Sequence, residues 1–548
     1  MPMRSILTAT LAALGLLAAG AGPAPAGSGR DRTHARAVGT PTFFVIGRGW
    51  GHGIGLSQYG AYGYAQHGFR ADAIVTHYYR GTTIGQAPLS RVRVLLGDGR
   101  KRVTIASKQP FAVKDGAGKS HPLDAGTYNV GTSFKVRDDP TTPPHTIPYP
   151  LVFVPGQQPL ALDGRGYRGS IQLNKRASSL QVVNVVGLEP YLWGVVPWEM
   201  PRDWSPEALK AQAIVARSYA VAHIHRGGTY DLFPDTRSQM YGGIRAEAPS
   251  SNSAVNQTAG KVVLYHGKVA DTMFFSTSGG RTASVQDVWP GATPIPYLTS
   301  VADPYDSISP YHVWGPLRMP SSTLARRLRV PGKLISIDIS AARSGRVKNL
   351  IATGSRGQVT LTGWNVRETL GLRSTWFRIA SLSLAPPTAP VAYGASAELD
   401  GLARGVASAT LQQRPFGGSW RAVGTVRPAP DGSVSPSVAP KVSSDYRLYA
   451  AGITSTAVRL SVAPLVRLFA AGDRSGFYGR VRPVLRGSVR IQRQTGSTWR
   501  TLARAPVRAD GTFVSQAYPE AGTYRARFVP TPSTGYVVGI SPVLRIVG

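Results

Sequence analysis

Glu199 stands between Pro197 and Pro201 in the run VVPWEMPRDWSPEALKAQ, with Trp198, Met200 and Trp204 close by. Proline fixes φ and removes a backbone donor, so this carboxylate reads as carried on a stiff bend outside any helix interior. An apolar wall opposes ionisation and raises a carboxyl pKa, as a general acid requires. Placed ahead of a helix bearing Lys210 and Arg217, the arrangement fits acid catalysis near a polar polymer. The same spacing also fits a surface turn in which Arg217 pairs with Glu199, because ion pairs too perturb carboxylates.

The elements that must hold this carboxylate follow from local pattern. Ser205, Pro206 and Glu207 make a strong helix start, with a hydroxyl at the cap and proline where its missing N–H is harmless. Gly227-Gly228 is the expected stop. Leu209, Ala213, Ala216 and Ala220 share one face, small enough to approach a sheet closely. Upstream, glycines at 47, 49, 51, 53 and 55 alternate with other residues, which lets the backbone come near a ligand. His52, Ser57, Gln58 and Tyr59 can line a cleft there, or bond the loop to itself. The lysine and spacing of a phosphate loop are missing.

Ala61–Gly68 and Ala71–Tyr79 read as helices, as does Asn252–Gly260. From Arg91 the runs RVRVLLGD, RVTIAS, FAVKDG, TYNVG, FKVRD and SIQLN alternate with period two, the pattern of antiparallel strands. Gln181–Val186, Val262–Tyr265, Val269–Phe275 and Gly357–Thr362 are further expected strands. The fold class is α+β and strand-dominated.

The chain has 548 residues, 42% of them hydrophobic, enough for several domains with substantial cores. Its formal net charge of +34 implies an anionic partner or surface. No zinc-finger, RNA-recognition or helix-turn-helix signature accompanies that charge, so nucleic acid is not the expected partner. Arg4, the apolar stretch Ile6–Ala19 and Ala24-Pro25-Ala26 read as an export signal over 1–26 cut before Gly27. An uncleaved anchor is the alternative; no second membrane span is expected. Cysteine is absent, which excludes disulfides and thiolate zinc. With the ten histidines scattered along the chain, no metal or cofactor is expected.

After Pro386–Pro390 the character changes. Trp420 and Trp499, Asp431-Gly432 and Asp510-Gly511, and Tyr446 and Tyr524 recur at a spacing of about 79 residues, marking a tandem repeat. Each unit reads as an immunoglobulin-like sandwich, 381–465 and 466–548. Their aromatics are expected in the cores, with sugar binding as the alternative.

Four stretches then carry a resemblance. YLWGVVPWEM through WSPEALKAQAIVARSYA, SQMYGG, FFSTSGGRTASVQDVW and RGWGHGIGLSQYGAYGYAQHG resemble the motifs of the SpoIID/LytB family, over roughly Phe43–Ile379. The family carries its histidine-glycine loop after the core, whereas here it comes before, which resembles a circular permutation. The implied organisation is a linker over 27–41, a loop segment over 42–90 packing on the core, and a core domain over 91–380.

The resemblance implies an exported lytic transglycosylase acting on peptidoglycan glycan strands, with Glu199 as its acid and base. Lys210 and Arg217 are expected to bind the glycan, as are His52, Ser57, Gln58, Tyr59, Gln239, Tyr241, Ser276, Thr277 and Ser278. Some relatives resemble zinc proteins near the serine-threonine-serine loop, but here the corresponding residues are Phe274 and Phe275. The alternative is a non-catalytic wall-binding scaffold or amidase modifier. Either reading places the protein at the cell wall, with anionic wall polymers as partners and an amidase as a further one.

Overall fold

The computed structural model describes residues 41–87, 91–224, 227–473 and 475–547. The expected export signal and all but the last residue of the 27–41 linker lie outside the described residues. Strands dominate, as expected. A six-stranded antiparallel sheet runs in the spatial order Arg91–Arg100, Ser179–Gly187, Ser170–Arg176, Leu151–Val154, Phe111–Lys114 and Ser120–Leu123. Beside it lies a four-stranded sheet of Arg165–Tyr167, Leu160–Leu162, Val103–Ser107 and Gly126–Val130. Period-two alternation sends Ile105, Val113, Phe153, Ile171 and Leu173 into one shared core.

The helix Pro206–Ala222 is buried on two sides. Leu209, Ala213, Ala216 and Ala220 join the sheet core, as their spacing predicts. Ala211, Ile214 and Val215 join a second cluster with Ile54, Leu56, Ile74 and Tyr78 from the N-terminal segment. Its ends differ in detail from the expectation. Ser205 caps through its carbonyl, which accepts from Ala208 N–H at 2.9 Å, and its hydroxyl makes no capping bond. The helix stops at Ala222, before Gly227, because His223 turns its ring back and donates from Nδ1 to the Tyr219 carbonyl at 2.8 Å.

The N-terminal strand Thr42–Arg48 pairs with Val313–Pro320 on one edge and Phe377–Leu384 on the other. Phe377–Leu384 in turn pairs with Gly401–Arg404, so sheet hydrogen bonding is continuous across position 380. Helices Gln58–Gln66, Ala71–Tyr78 and Pro249–Gln257 form close to the expected bounds. The strand expected over Val269–Phe275 is two short pieces, Lys268–Val269 and Phe274–Phe275, the second running parallel to Leu56–Ser57. A further sheet of Leu334–Ala341, Val347–Gly354 and Gly357–Thr362, backed by Ser321–Leu328 and Gly363–Leu370, was legible only in its last strand.

The two C-terminal units repeat each other in hydrogen bonding. Asp431 Oδ1 accepts from Ser433 N–H and Oγ–H at 2.9 and 2.7 Å, and Asp510 Oδ1 accepts from Thr512 N–H and Oγ1–H at the same distances. Tyr446 and Tyr524 are core residues. The tryptophans are not. Trp420 lies under Arg447, and Trp499 under Arg525, with guanidinium-to-ring distances of 4.1 and 4.2 Å. Each arginine is held by a cross-strand glutamine, Gln412 or Gln492, at 2.8 Å. The core expectation fails for them: both are only partly buried, Trp420 just before the strand Arg421–Val426 and Trp499 within Thr498–Pro506.

Candidate active site

Glu199 closes a single helical turn, Val196–Glu199, with Pro197 in the first turn where its missing N–H costs nothing. The expected bend is thus a short helix. Glu199 Oε1 accepts from the Met240 N–H at 2.6 Å. Burial pushes the Glu199 carboxyl from 4.5 up to about 7, opposed by that amide, and no charged neighbour among the described residues shifts it further. An amide N–H can only donate. Oε1 must therefore stay an acceptor, and the carboxyl proton resides on Oε2. Trp198 does not build the apolar wall: it is 43% exposed, with Arg245 over its ring at 5.7 Å. The buried Tyr191 and the partly buried Tyr219 are close enough to sense the Glu199 charge.

The glycine-rich loop reaches this carboxylate from the far end of the sequence. Gln58 Nε2 donates to the Glu199 carbonyl at 2.9 Å. Tyr62 stacks on Trp204 at 4.5 Å and Tyr59 meets the same ring edge-on at 4.7 Å. The loop docks through Trp50 and Thr277, whose backbones exchange hydrogen bonds at 2.8 and 3.0 Å. Gly55, at φ +78°, lies so close to the Met273 carbonyl that a Cβ there would sit 2.0 Å from its oxygen.

Several expected ligand-binding residues are instead scaffold. His52 Nδ1 accepts from Ile54 N–H at 3.1 Å while Nε2–H donates to the Phe274 carbonyl at 2.9 Å, so one ring nitrogen is spent inside the loop and the other ties it to the strand Phe274–Phe275. Burial lowers its pKa to about 4, helped by Arg346 and Arg367. Ser57 is fully buried and donates to Asp306 Oδ1 at 3.1 Å. Asp306 also accepts from the Ser278 and Gly279 amides at 2.8 and 2.9 Å, fixing the Ser-Thr-Ser-Gly-Gly loop. Ser276 Oγ lies 3.2 Å from Thr277 Oγ1, Thr277 bonds Ser309 Oγ at 2.8 Å, and Ser278 Oγ accepts from Gly280 N–H. Gln239 accepts from Tyr191 and donates to the Ala216 carbonyl, and Tyr241 donates to Asn184 Oδ1 at 2.8 Å.

Of the two basic residues on the long helix, Arg217 is corrected as well. Arg217 is fully buried and grips Glu189 with Nε and Nη2 at 2.9 and 2.6 Å, while its remaining donors reach the Lys261, Val255 and Ala213 carbonyls. Neither a rim position nor a pair with Glu199 survives. Lys210 pairs with Glu207 one helical turn away, and Glu207 caps the Ala71 amide at 2.7 Å. Of the expected residues, the structure brings Gln58 to Glu199, with Tyr59 against the neighbouring Trp204.

Sequence reasoning missed His223 and Asp271, which lie beside Tyr219. Tyr219, with its hydroxyl pushed up to about 12 by burial and then by Asp271, stacks on His223 at 4.0 Å. His223 Nε2 lies 3.8 Å from Asp271 Oδ2, and burial raises the Asp271 carboxyl. For His223 the available signal was a histidine four residues after Tyr219, just past the end of the helix; the Met240 amide had none.

The model of the SpoIID family, described as stage II sporulation protein, matches residues 176–265. That span holds Glu199, Tyr219, His223 and Met240 but neither glycine loop. Stage II sporulation protein D of Bacillus amyloliquefaciens is 35% identical over 222 residues, 37% of this chain and 62% of that protein. The amidase enhancer of Bacillus subtilis (strain 168) is 38% identical over 150 residues, 27% of this chain and 20% of that one. Residues 176–265 of this chain belong to the SpoIID/LytB family. An uncharacterized protein of Brachyspira hyodysenteriae is 39% identical over 148 residues, 26% of this chain and 40% of its own length. The chain thus spans less than two thirds of these curated relatives.

Proposed function

We propose that this protein is an exported peptidoglycan lytic transglycosylase, cleaving the bond between N-acetylmuramic acid and N-acetylglucosamine. One observation carries the reading: a half-buried carboxyl, without an ion pair among the described residues, that holds a proton near neutrality at a defined oxygen. Glu199 Oε2–H protonates the departing glycosidic oxygen as the C1–O bond breaks, leaving an oxocarbenium-like muramyl centre. The resulting carboxylate then takes the proton of the sugar's own 6-hydroxyl, whose oxygen bonds to C1. The product is a 1,6-anhydro end, the carboxyl is again protonated, and no water is consumed. A positioned acid of this kind contributes about 10²- to 10⁴-fold. Because the nucleophile is intramolecular, the second carboxylate of a hydrolase is not needed.

The two C-terminal units are read as immunoglobulin-like sandwiches that hold the enzyme to anionic wall polymers. Supporting this, Arg490 lies directly across from Arg504 on one neighbouring strand and Arg527 on the other. Like charges placed opposite each other destabilise a sheet, so a polyanion that neutralises the row would stabilise it. No described helix is long and apolar enough to cross a membrane.

A second reading, a non-catalytic wall-binding modifier of an amidase, is favoured by the amidase enhancer among the relatives. Mass spectrometry of peptide-free glycan strands incubated with wild type and Glu199→Gln separates the two. Anhydro-ended fragments from wild type alone support the transglycosylase. Hydrolytic, reducing-end products point to a hydrolase, and no fragments from either protein leave the modifier.

A further inference from the structure

The second site lies at the opposite edge of the six-stranded sheet, on Ser120–Leu123, four strands from the one that leads into the Glu199 segment and therefore about 19 Å away at ordinary strand spacing. His121, fully buried, projects from this edge strand. Its Nε2 is paired with Asp115 Oδ2 at 3.1 Å. Asp115 cannot swing away, because its Oδ1 accepts from the Ala117 and Lys119 amides at 3.0 and 2.9 Å.

The other ring nitrogen, Nδ1, lies 2.5 Å from Asp138 Oδ1. A neutral imidazole has one N–H, and Asp115 claims it. The second carboxylate is met either by a second ring proton, which makes the ring an imidazolium donating to both Asp115 and Asp138, or by a metal at Nδ1 that displaces that proton. His145 completes the group: its Nε2 is 4.0 Å from Asp138 Oδ2, and one ligand atom from each of His121, Asp138 and His145 falls within 4.8 Å of the others. His145 sits on the short strand His145–Thr146, paired with Lys135–Val136, just before Asp138. The three ligands thus come from two segments that the sheet edge alone does not join.

We propose that His121 Nδ1, a carboxylate oxygen of Asp138 and His145 Nε2 form a binding site for a divalent transition metal of the zinc class, stapling the 135–146 segment to the sheet edge. Two imidazoles and one carboxylate suit zinc, cobalt or nickel, whereas magnesium and calcium require more oxygen ligands. The buried Asp115 supplies the carboxylate–histidine–metal arrangement that fixes the ring and strengthens its donor nitrogen. Three protein ligands leave a fourth position for water. Lys119 Nζ, at 2.6 Å from Asp138 Oδ2, is the resident competitor, and its side chain is exposed enough to move aside. The histidines are 24 residues apart in sequence, which is why a search for ligand spacing passes over them.

The test uses the full chain without an affinity tag, stripped with chelator and then titrated with Zn²⁺ by calorimetry and with Co²⁺ by visible absorption. One equivalent should bind, with a tetrahedral cobalt spectrum. His145→Ala, at a partly exposed side chain, and Asp138→Asn should each weaken binding at least tenfold, the metal-free melting curve matching wild type for His145→Ala and shifting down for Asp138→Asn, which loses its bonds to His121 and Lys119. Lys119→Met should tighten it. Absence of saturable binding, or binding that His145→Ala and Asp138→Asn leave unchanged, overturns the site. These readouts do not involve glycan cleavage.

Discussion

Gln58 holds the backbone carbonyl of Glu199 at 2.9 Å across 141 positions of sequence. The contact joins a loop outside the family-matched span to the residue on which the proposed chemistry depends. Gln58 is therefore a positioning residue for the Glu199 turn. Replacing it by Leu keeps its bulk and removes the donor, and misplacement by about 1 Å costs on the order of 10²-fold in rate. Gln58→Leu is expected to lower kcat for anhydro-product release 10- to 100-fold with little change in KM. Gln58→Glu, which cannot donate when ionised, should not restore the rate. A wild-type kcat in either variant removes the positioning role.

Glu199 gives a pH dependence of definite sign. Its folded pKa, about 7, is above the ordinary 4.5, so the folded state binds more protons between those values. Stability from this group is full at low pH, falls as pH rises from 4.5 through 7, and is lost above, by roughly 3 kcal/mol in total. Asp303, raised to about 7 by burial and then by Asp306, acts in the same direction. Urea melts between pH 4 and 8 should show wild type losing stability with pH, Glu199→Gln less steeply, and Glu199→Gln with Asp303→Asn flattest. The rate of glycan cleavage should decline through about pH 7 as the acid loses its proton. Equal pH slopes in all three proteins would mean that Glu199 is solvated and ordinary.

Much of the frame was legible because local rules and tertiary structure agree. The Leu209, Ala213, Ala216 and Ala220 stripe needed a sheet and met one. Glu199 was visible from its prolines, although the adjacent Trp198 is exposed and the rings near enough to sense its charge are Tyr191 and Tyr219. The polar residues of the glycine loops were misread for a physical reason. Backbone at positive φ leaves amides and carbonyls unpaired, and Ser57, His52 and Ser278 are consumed in satisfying them or their neighbours. Sequence displays such residues without displaying their partners.

Arg217 separates a structural from a ligand-binding role. A fully buried guanidinium bonded twice to Glu189 leaves an uncompensated carboxylate when truncated, a loss of about 3–5 kcal/mol. Arg217→Ala is expected to unfold at much lower urea concentration, and Arg217→Lys to recover only part, since a point charge cannot make the paired contact. Among molecules still folded, KM for glycan strands should be that of wild type. A raised KM at unchanged stability would return Arg217 to the substrate.

The arginine row on the last sheet makes the proposed attachment to anionic wall polymers testable. Arg490, Arg504 and Arg527 lie side by side on three paired strands, and the nearby Arg525 has its pKa lowered by burial and then by Arg527. That packing of like charge favours any polyanion that can lie across the strands, and salt must weaken the attraction because the side chains are partly exposed. Changing all three to Gln removes the mutual repulsion, so the fold should be as stable as wild type or slightly more so. Binding to walls that carry anionic polymers should fall several-fold, and release should occur at lower salt than for wild type. Walls stripped of those polymers should bind both proteins equally. Undiminished, salt-insensitive binding by the triple variant would transfer wall attachment to another surface.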